Sequence, residues 1–438
     1  MLLEFQVENY LSFKENATLS MLAGSFGELS DSIIIKGKNR ILSSAAIYGA
    51  NASGKSNFLN AIGFMKHFVF DSARESRIGD EIDVRSFRLS SECDDKPSLF
   101  EITFFVEDAN YNDKQKDIIF RYGFEVTRTR VHSEWLFGRF TAQESRLFVR
   151  HKDDIKIGEK FKEGKQVYKV LGKIRETSLF LSLIASIKGE NAPVTDSIMH
   201  WFKKLQDLSK VGDHNFYAIT AGLMSNEVMK NKIIKAFCMA DICIEDLTIE
   251  EKNVDFDKMP LIVRKDLEEK GVDPKNLYKL AIKSVHKKYN EEKTDIGLEI
   301  FDFDKEESDG SKKFFALIGP VLDALQHGLV LIIDEIDARL HPLICDELIS
   351  LFNSKKSNQN NAQLIFAIHN PLIMNRKRLR RDQIYFTEKD KYGESELYSL
   401  LDYKKVRNDA SYDKDYLLGK YGAIPYIGDF ETFLSGGF

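Results

Sequence analysis

The stretch Gly49-Ala50-Asn51-Ala52-Ser53-Gly54-Lys55-Ser56 has the spacing G-x-x-x-x-G-K-S and follows directly on the apolar run Ala45-Ala46-Ile47-Tyr48. This order constrains the chain to strand, loop and helix. Glycines at both ends let the backbone wrap an anion closely, so that consecutive N–H groups point at a polyphosphate. The helix expected to begin near Lys55 adds the positive end of its dipole. Lys55 is placed to reach β- and γ-phosphates, and the Ser56 hydroxyl to ligate Mg²⁺. Ser56-Asn57 open the helix-compatible run that continues to Ile62. Residues 49–57 therefore read as a nucleotide-binding loop, with a plain glycine turn before a helix as the alternative.

A second element lies far downstream. Leu329-Val330-Leu331-Ile332-Ile333 is a continuous apolar run, as expected of a strand buried on both faces of a parallel sheet, and it ends in Asp334-Glu335. An aspartate at the carboxyl end of such a strand sits where open α/β sheets bind ligands and can support Mg²⁺. The glutamate after it is placed to polarise an attacking water. Alone, the two acids could be a strand end meeting solvent. With the phosphate loop they predict hydrolysis.

Just upstream, Glu307-Ser308-Asp309-Gly310-Ser311 precedes a helix-compatible segment from Lys312 to Ala324, which Gly319-Pro320 is expected to kink or divide. Serine then glycine at a helix N-terminus can bind an anion, or can simply cap the helix. Ser308-x-Gly310, a helix and then Leu331-Ile332-Ile333-Asp334-Glu335 resemble the signature motif and Walker B strand of ABC-type ATPases. Asp337-Ala338-Arg339-Leu340-His341-Pro342 looks like their D-loop, and Ile365-Phe366-Ala367-Ile368-His369-Asn370 like their switch-histidine strand.

The likeness reaches both ends of the chain. Met1 to Tyr10 followed by Leu11-Ser12-Phe13 is similar to the opening strand of the SMC, RecF and OLD branch, and Phe87-Arg88-Leu89 and Val285-His286-Lys287-Lys288-Tyr289 fit the same branch. Arg380 to Phe386 and Tyr416 to Pro425 extend it. Together they resemble bacterial stand-alone ATP-binding proteins related to OLD, such as RloA, AbiL and the AriA component of PARIS phage defence. The resemblance implies an α/β fold: an ABC-type ATPase head (a P-loop NTPase) with an antiparallel β subdomain and a helical insertion.

What the resemblance implies for mechanism is a split site. Each chain would carry half of each catalytic centre, and two chains would close head to tail over two ATP molecules. Gly49 to Asn57 would hold the nucleotide, and Ser308 and Gly310 of the other chain would contact its γ-phosphate. Ser56 and Asp334 would hold Mg²⁺, Glu335 would orient water, His369 would sense the γ-phosphate and Asp337 would couple the sites. The Q-loop residue stays unassigned. The implied assembly is a homodimer or a higher even-numbered homo-oligomer. OLD proteins carry a TOPRIM nuclease after the ATPase, whereas about seventy residues follow His369 here, without an E…DxD metal site. That points to a separately encoded effector, TOPRIM-like or RloB-like, released by a phage-encoded trigger. A RecF/SMC-like DNA-repair or DNA-binding ATPase is the alternative, and an ABC transporter motor fits less well.

Composition agrees with a cytoplasmic protein. The 438 residues are 43% hydrophobic, and no apolar run is long enough to cross a bilayer. The formal charge of −5 gives no general attraction to nucleic acid. Cys93, Cys238, Cys243 and Cys345 form no metal-ligand framework, and a core role is expected for Cys238 and Cys243. Lys55 and Asp334 are too far apart in sequence for a compact head, so we expect an N-terminal lobe at 1–152, a mainly helical insertion at 153–275 and a C-terminal lobe at 276–438. Phe100 to Val106 and Phe120 to Val126 alternate as antiparallel strands. Leu179 to Ala185, Asp196 to Leu208 and Ser225 to Ala240 suit helices, with Ser225 as N-cap, and Gly271-Val272-Asp273-Pro274 suits a turn. Trp135, with Glu134, is expected to pack after a strand. Five basic residues, Arg376-Lys377-Arg378 and Arg380-Arg381, could contact nucleic acid or an acidic partner, or could form a solvated face with ion pairs to Asp382 and Glu388.

Overall fold

Apolar runs become the inner strands of one sheet. The computed structural model describes residues 1–73, 81–111, 114–188, 192–209, 213–253, 264, 278–403 and 411–428. Elements are numbered in chain order. Six strands, β5 (Ser44–Gly49), β11 (Leu205–Asp207), β15 (Val330–Ile333), β16 (Gln363–Ala367), β17 (Ile384–Lys389) and β18 (Ser395–Ser399), pair in the order β11-β15-β16-β5-β17-β18. All neighbours are parallel except β17 and β18. Every residue of β5, β15 and β16 is buried, as strands covered on both faces require. Register sets the site: Ala367 pairs with Ile47 and Ile333 with Phe366, so β5, β15 and β16 end level with one another.

A second sheet of seven antiparallel strands has the order β10-β9-β8-β7-β6-β1-β2. It comprises β1 (Leu2–Glu8), β2 (Ala17–Ser20), β6 (Ser98–Tyr111), β7 (Lys114–Val126), β8 (Val131–Arg139), β9 (Ser145–His151) and β10 (Asp154–Ile157). A ribbon of β3 (Ile33–Lys36) and β4 (Asn39–Leu42) bonds to the segment after β2, Leu42 N–H donating to Met21 O at 2.7 Å and Ala23 N–H to Arg40 O at 2.8 Å. Helix α1 (Lys55–Asp71) buries Phe58, Leu59, Ile62 and Met65 in a core shared with Phe5 and Val7 of β1 and Ile47 of β5. Phe5 meets Phe58 edge to face at 5.6 Å. Helices α2 (Lys162–Leu171), α3 (Phe180–Lys188) and α4 (Pro193–Lys203) follow.

Two compact units divide the chain. The first is Met1–Lys210, Ala324–Asp337 and Cys345–Phe438, and the second is Val211–Asp323 and Ala338–Ile344. These limits differ from the expected divisions at 152 and 275, because α2, α3 and α4 belong to the first unit. The helix expected over Asp196 to Leu208 stops at Lys203. Leu205–Asp207 instead adds a parallel edge strand beside Val330–Ile332, where Leu205 is fully buried; tertiary pairing overrides helical pattern here. Trp135 lies inside β8, not after a strand, and its indole N–H donates to Glu101 at 2.6 Å. Glu134 is fully buried and accepts from Tyr122 Oη at 3.0 Å and from the Phe180 and Leu181 N–H groups at 2.7 and 3.1 Å. It thereby anchors the start of α3, although burial pushes its carboxyl up from the usual range.

The second unit contains α5 (Asp213–Leu223), α6 (Glu227–Met239), the sheet β12-β13-β14 (Asp246–Asn253, Tyr278–Tyr289 and Asp295–Asp302), the short α7 (Phe303–Glu306) and most of α8 (Asp309–His327). The N-cap of α6 is Asn226, one residue beyond the expected Ser225, and its carboxamide accepts from Val228 and Met229 N–H groups at 3.0 and 3.2 Å. Helix α8 runs through Pro320 without division. Gly319 lets α5 come close, since a Cβ there would lie 2.3 Å from Thr220 Oγ1. The Thr220 hydroxyl donates to Phe315 O at 2.8 Å, in the turn ahead of the proline. Cys238 and Cys243 are exposed free thiols, not core residues. Gly271 to Pro274 lie outside the described residues. No described helix is long and apolar enough to cross a membrane.

Candidate nucleotide site

The loop after β5 can only be built with its glycines. A Cβ at Gly49 would sit 2.4 Å from Thr387 O, and one at Gly54, where φ is 120°, would sit 2.6 Å from Ser395 Oγ. Strands β17 and β18 clamp the loop from that side: Ser53 Oγ lies 2.6 Å from Thr387 Oγ1, and Ser395 Oγ donates to Ser53 O at 2.7 Å. Ala52 adopts the left-handed backbone region at φ 62°. Gly54 is the N-cap of α1 and offers no side chain, so the first-turn N–H groups are ready-made anion donors. Lys55 folds back, its Nζ donating to Gly49 O at 2.8 Å and Ala50 O at 3.0 Å. Burial lowers its pKa, and the carboxylates of Asp334, Glu335 and Asp337 oppose that shift. Asn57 Nδ2 donates to Ser12 Oγ at 2.8 Å, tying α1 to the loop after β1.

The end of β15 supplies the acids. Asp334 is half-buried and its carboxyl is pushed up by burial, against a hydrogen bond from Ser56. Its Oδ1 is buried with no hydrogen-bond partner. An orphaned carboxylate oxygen beside a serine hydroxyl suits a cation better than any neighbour present, and Mg²⁺ needs only one or two protein oxygens when phosphates complete its shell. The Ser56 and Asp334 pair thus fits the ion. Among the described residues, no cluster of three or more His, Cys, Asp or Glu side chains forms a metal cage.

Glu335 is exposed, with a left-handed backbone at φ 47°. That conformation costs a non-glycine residue about 1–2 kcal/mol and turns the side chain out from the strand end. Asp337 accepts from the backbone N–H groups of His369 at 3.1 Å and Asn370 at 2.8 Å, so one carboxylate fixes the turn that presents the exposed His369. Its other oxygen is buried and unpartnered.

These pieces line one cleft of about 400 Å³, formed by residues 51–57 with Glu335, His369 and Lys389. Lys389 carried no signal in the sequence. Only the register of β17 beside β5, with Thr387 opposite Gly49, brings it to the loop. A larger cleft of about 980 Å³, which includes Ser12, Arg85, Phe87 and Arg88, meets this one at Asn57 and Lys389.

Ser308 and Gly310 belong to the second unit. Ser308 precedes α8 and its Oγ accepts from Ser311 N–H at 3.0 Å, so the capping role is present. The serine is nonetheless exposed. A Cβ at Gly310 would stand 3.2 Å from Arg339 O, which keeps that position small beside the chain that follows Asp337.

The basic run is largely spent on the protein itself. Arg380 is fully buried, its Nε and Nη2 donating to Asp382 Oδ1 and Oδ2 at 2.8 and 2.7 Å and its Nη1 to Glu28 O. Arg381 pairs with Glu28, and Arg378 with Asp346 at 2.8 Å. Glu388 takes its bond from Tyr398 Oη at 3.1 Å. Arg380→Ala is expected to destabilise the fold by about 3–5 kcal/mol, because it leaves the buried Asp382 unpaired. Urea unfolding checks this, and a loss below about 1 kcal/mol would remove the structural role.

A protein-family model described as "AAA domain, putative AbiEii toxin, Type IV TA system" matches residues 44–188 and 244–375, more than half of the chain. None of the curated proteins matches. Among solved structures, the chain is similar to the SMC head domain from Thermotoga maritima, with 13% identity over 91% of this chain and 98% of that one at a TM-score of 0.38. It is also similar to the Smc head domain with an extended coiled coil bound to the C-terminal domain of ScpA from Pyrococcus furiosus, with 13% identity over 96% and 98% at a TM-score of 0.39.

Proposed function

Because this chain belongs to the AAA-domain family whose model it matches, we propose that it is a Mg²⁺-dependent ATPase acting as a molecular switch. One observation carries the reading. Strands β5 and β15 end at the same edge of one sheet, where Asp334, with Ser56 beside it and its Oδ1 buried without a partner, lies near a loop whose glycine positions admit no side chain. On this reading residues 49–57 wrap the triphosphate, and Lys55 exchanges its two carbonyl partners for phosphate oxygens. Ser56 and Asp334 hold the metal, which when bound supplies positive charge against the β- and γ-phosphates. Glu335 accepts a proton from the attacking water, and His369 contacts the γ-phosphate from the neighbouring strand. The large adjoining cleft leaves room for ribose and base.

Ser308, Gly310 and Asp337 act across a head-to-tail dimer in this proposal, so that ATP bridges two chains and hydrolysis releases them. The family description links the chain to toxin–antitoxin systems, which supports a cytoplasmic defence role in abortive infection, with a separate effector under its control. The alternative of a DNA-binding ATPase is weakened by the internal pairing of Arg378, Arg380 and Arg381.

Lys55→Ala tests the reading. Calorimetry is expected to show ATP binding weakened by at least roughly a hundredfold, since charge-assisted phosphate bonds are among the strong ones. Unaltered affinity in a folded variant would remove the phosphate-loop assignment.

A further inference from the structure

Strand β14 breaks the alternation that its sheet obeys. Residues directly opposite one another share a face, and the face carrying Leu247 of β12 and Ile282 and Ser284 of β13 is buried. On that face β14 places Gly297, Glu299 and Phe301, opposite Lys288, His286 and Ser284. Leu298 and Ile300, opposite Lys287 and the buried Val285, lie on the other face and are each 64% exposed; Ile296, at the register shift between Gly297 and Asp295, is 56% exposed. The strand is also an edge, last in the order β12-β13-β14, and among the described residues no strand pairs with its outer side. An exposed apolar edge strand is a template for another strand, and soluble proteins rarely leave one uncovered.

We infer that this edge pairs with the same edge of a second copy of the chain, antiparallel and centred on Leu298. Residues opposed across a two-fold axis normal to the sheet must share a face, so each allowed register is centred on a residue, and adjacent registers differ by one position of the centre. Centred on Leu298, the pairing sets Leu298 against Leu298, Ile296 against Ile300, Gly297 against Glu299 and Asp295 against Phe301. Leu298 and Ile300 of both copies then share one face of the seam, and no like charges are opposed. Either neighbouring register fails on charge. Centring on Glu299 sets that carboxylate against itself, and centring on Gly297 sets Asp295 against Glu299. Like charges directly opposite are destabilising, so the charges of this strand favour the Leu298 centre over either adjacent register. The contact joins two three-stranded sheets into one of six strands and needs no nucleotide. If the ATP-bridged dimer of the proposed function also forms, each chain has two different two-fold faces, and assemblies grow by even numbers.

The full-length chain without nucleotide tests the contact. In a Cys238→Ser, Cys243→Ser background, which removes the exposed thiols, Leu298→Cys is expected to form a covalent dimer under mild oxidation, because opposed antiparallel residues lie within disulfide range. Glu299→Cys, displaced from its own copy by two residues along the strand, is expected to stay uncrosslinked. Light scattering is expected to show a dimer of the wild-type chain at micromolar concentration. Leu298→Lys, at an exposed position, should raise the dissociation constant at least roughly tenfold with an unchanged thermal unfolding profile. A monomeric wild-type chain, equal crosslinking at positions 298 and 299, or a Leu298→Lys dimer of undiminished affinity would each overturn the inference, as would a β14 edge that binds only a different protein. An ATP-dependent dimer that persists in Leu298→Lys leaves the nucleotide reading standing while this one is judged alone.

Discussion

Glu335→Gln is expected to bind ATP with near-normal affinity and to hydrolyse it about 10²–10⁴ times more slowly, the usual range for losing a general base. That loss corresponds to roughly 3–5.5 kcal/mol of transition-state stabilisation. The geometry makes the substitution clean. Glu335 is exposed at the rim of the cleft, and its left-handed backbone at φ 47° suits glutamine no worse than glutamate. Stability should therefore hold while the chemistry fails. Because the proposed switch opens only after hydrolysis, the variant should also accumulate as an ATP-bound dimer, visible by size-exclusion chromatography with light scattering. Near-normal turnover would mean that another group activates the water, and His369 on the adjacent turn would be the first to test.

Contiguous chemistry was legible in the sequence, and chemistry set by register was not. The strand, glycine loop and helix at 44–71 and the Ile333-Asp334-Glu335 strand end could be read because each residue is covalently next to the strand that positions it. The antiparallel hairpin was legible for the same reason, as β6 and β7 alternate over many residues. Lys389 reaches the cleft only through the pairing of β17 with β5, which leaves no local trace. Leu205–Asp207 reads as the end of a helix, and becomes a strand because a sheet edge offers Leu205 a buried place. Pro320 predicts a break, yet the helix runs through it, with Thr220 packed against Gly319. The basic run already offered an ion pair to Asp382 in the sequence, and Arg380 makes it, buried beside that aspartate; the reach of the same guanidinium to the Glu28 carbonyl was not legible. For Lys389 and Leu205 a long-range partner outweighed a local preference, which is the expected way for propensity to fail.

The division of the site between two chains is testable through Ser308. Its hydroxyl caps α8, bonding the Ser311 N–H at 3.0 Å, and the side chain is exposed, so a capping role and a γ-phosphate contact are both compatible with its position. Ser308→Arg separates them. Loss of the cap alone costs about 1 kcal/mol of stability and leaves catalysis intact. On the proposed dimer the arginine instead brings bulk and charge to the partner's nucleotide. ATP binding by single chains should then persist while ATP-driven dimerisation and turnover fall by at least roughly a hundredfold, the scale of losing a transition-state donor. Mixing Ser308→Arg with Lys55→Ala sharpens the test, since each homodimer is inactive for a different reason. In a head-to-tail heterodimer one site carries both lesions and the other carries neither, so activity should recover to as much as half that of the wild-type dimer. Recovery requires that Ser308 serve the nucleotide of the opposite chain. If heterodimers form and no activity returns, the two sites either do not divide in this way or do not fire independently. If Ser308→Arg alone hydrolyses ATP normally, the serine is a helix cap and nothing more, and the likeness to an ABC-type signature loses its strongest residue.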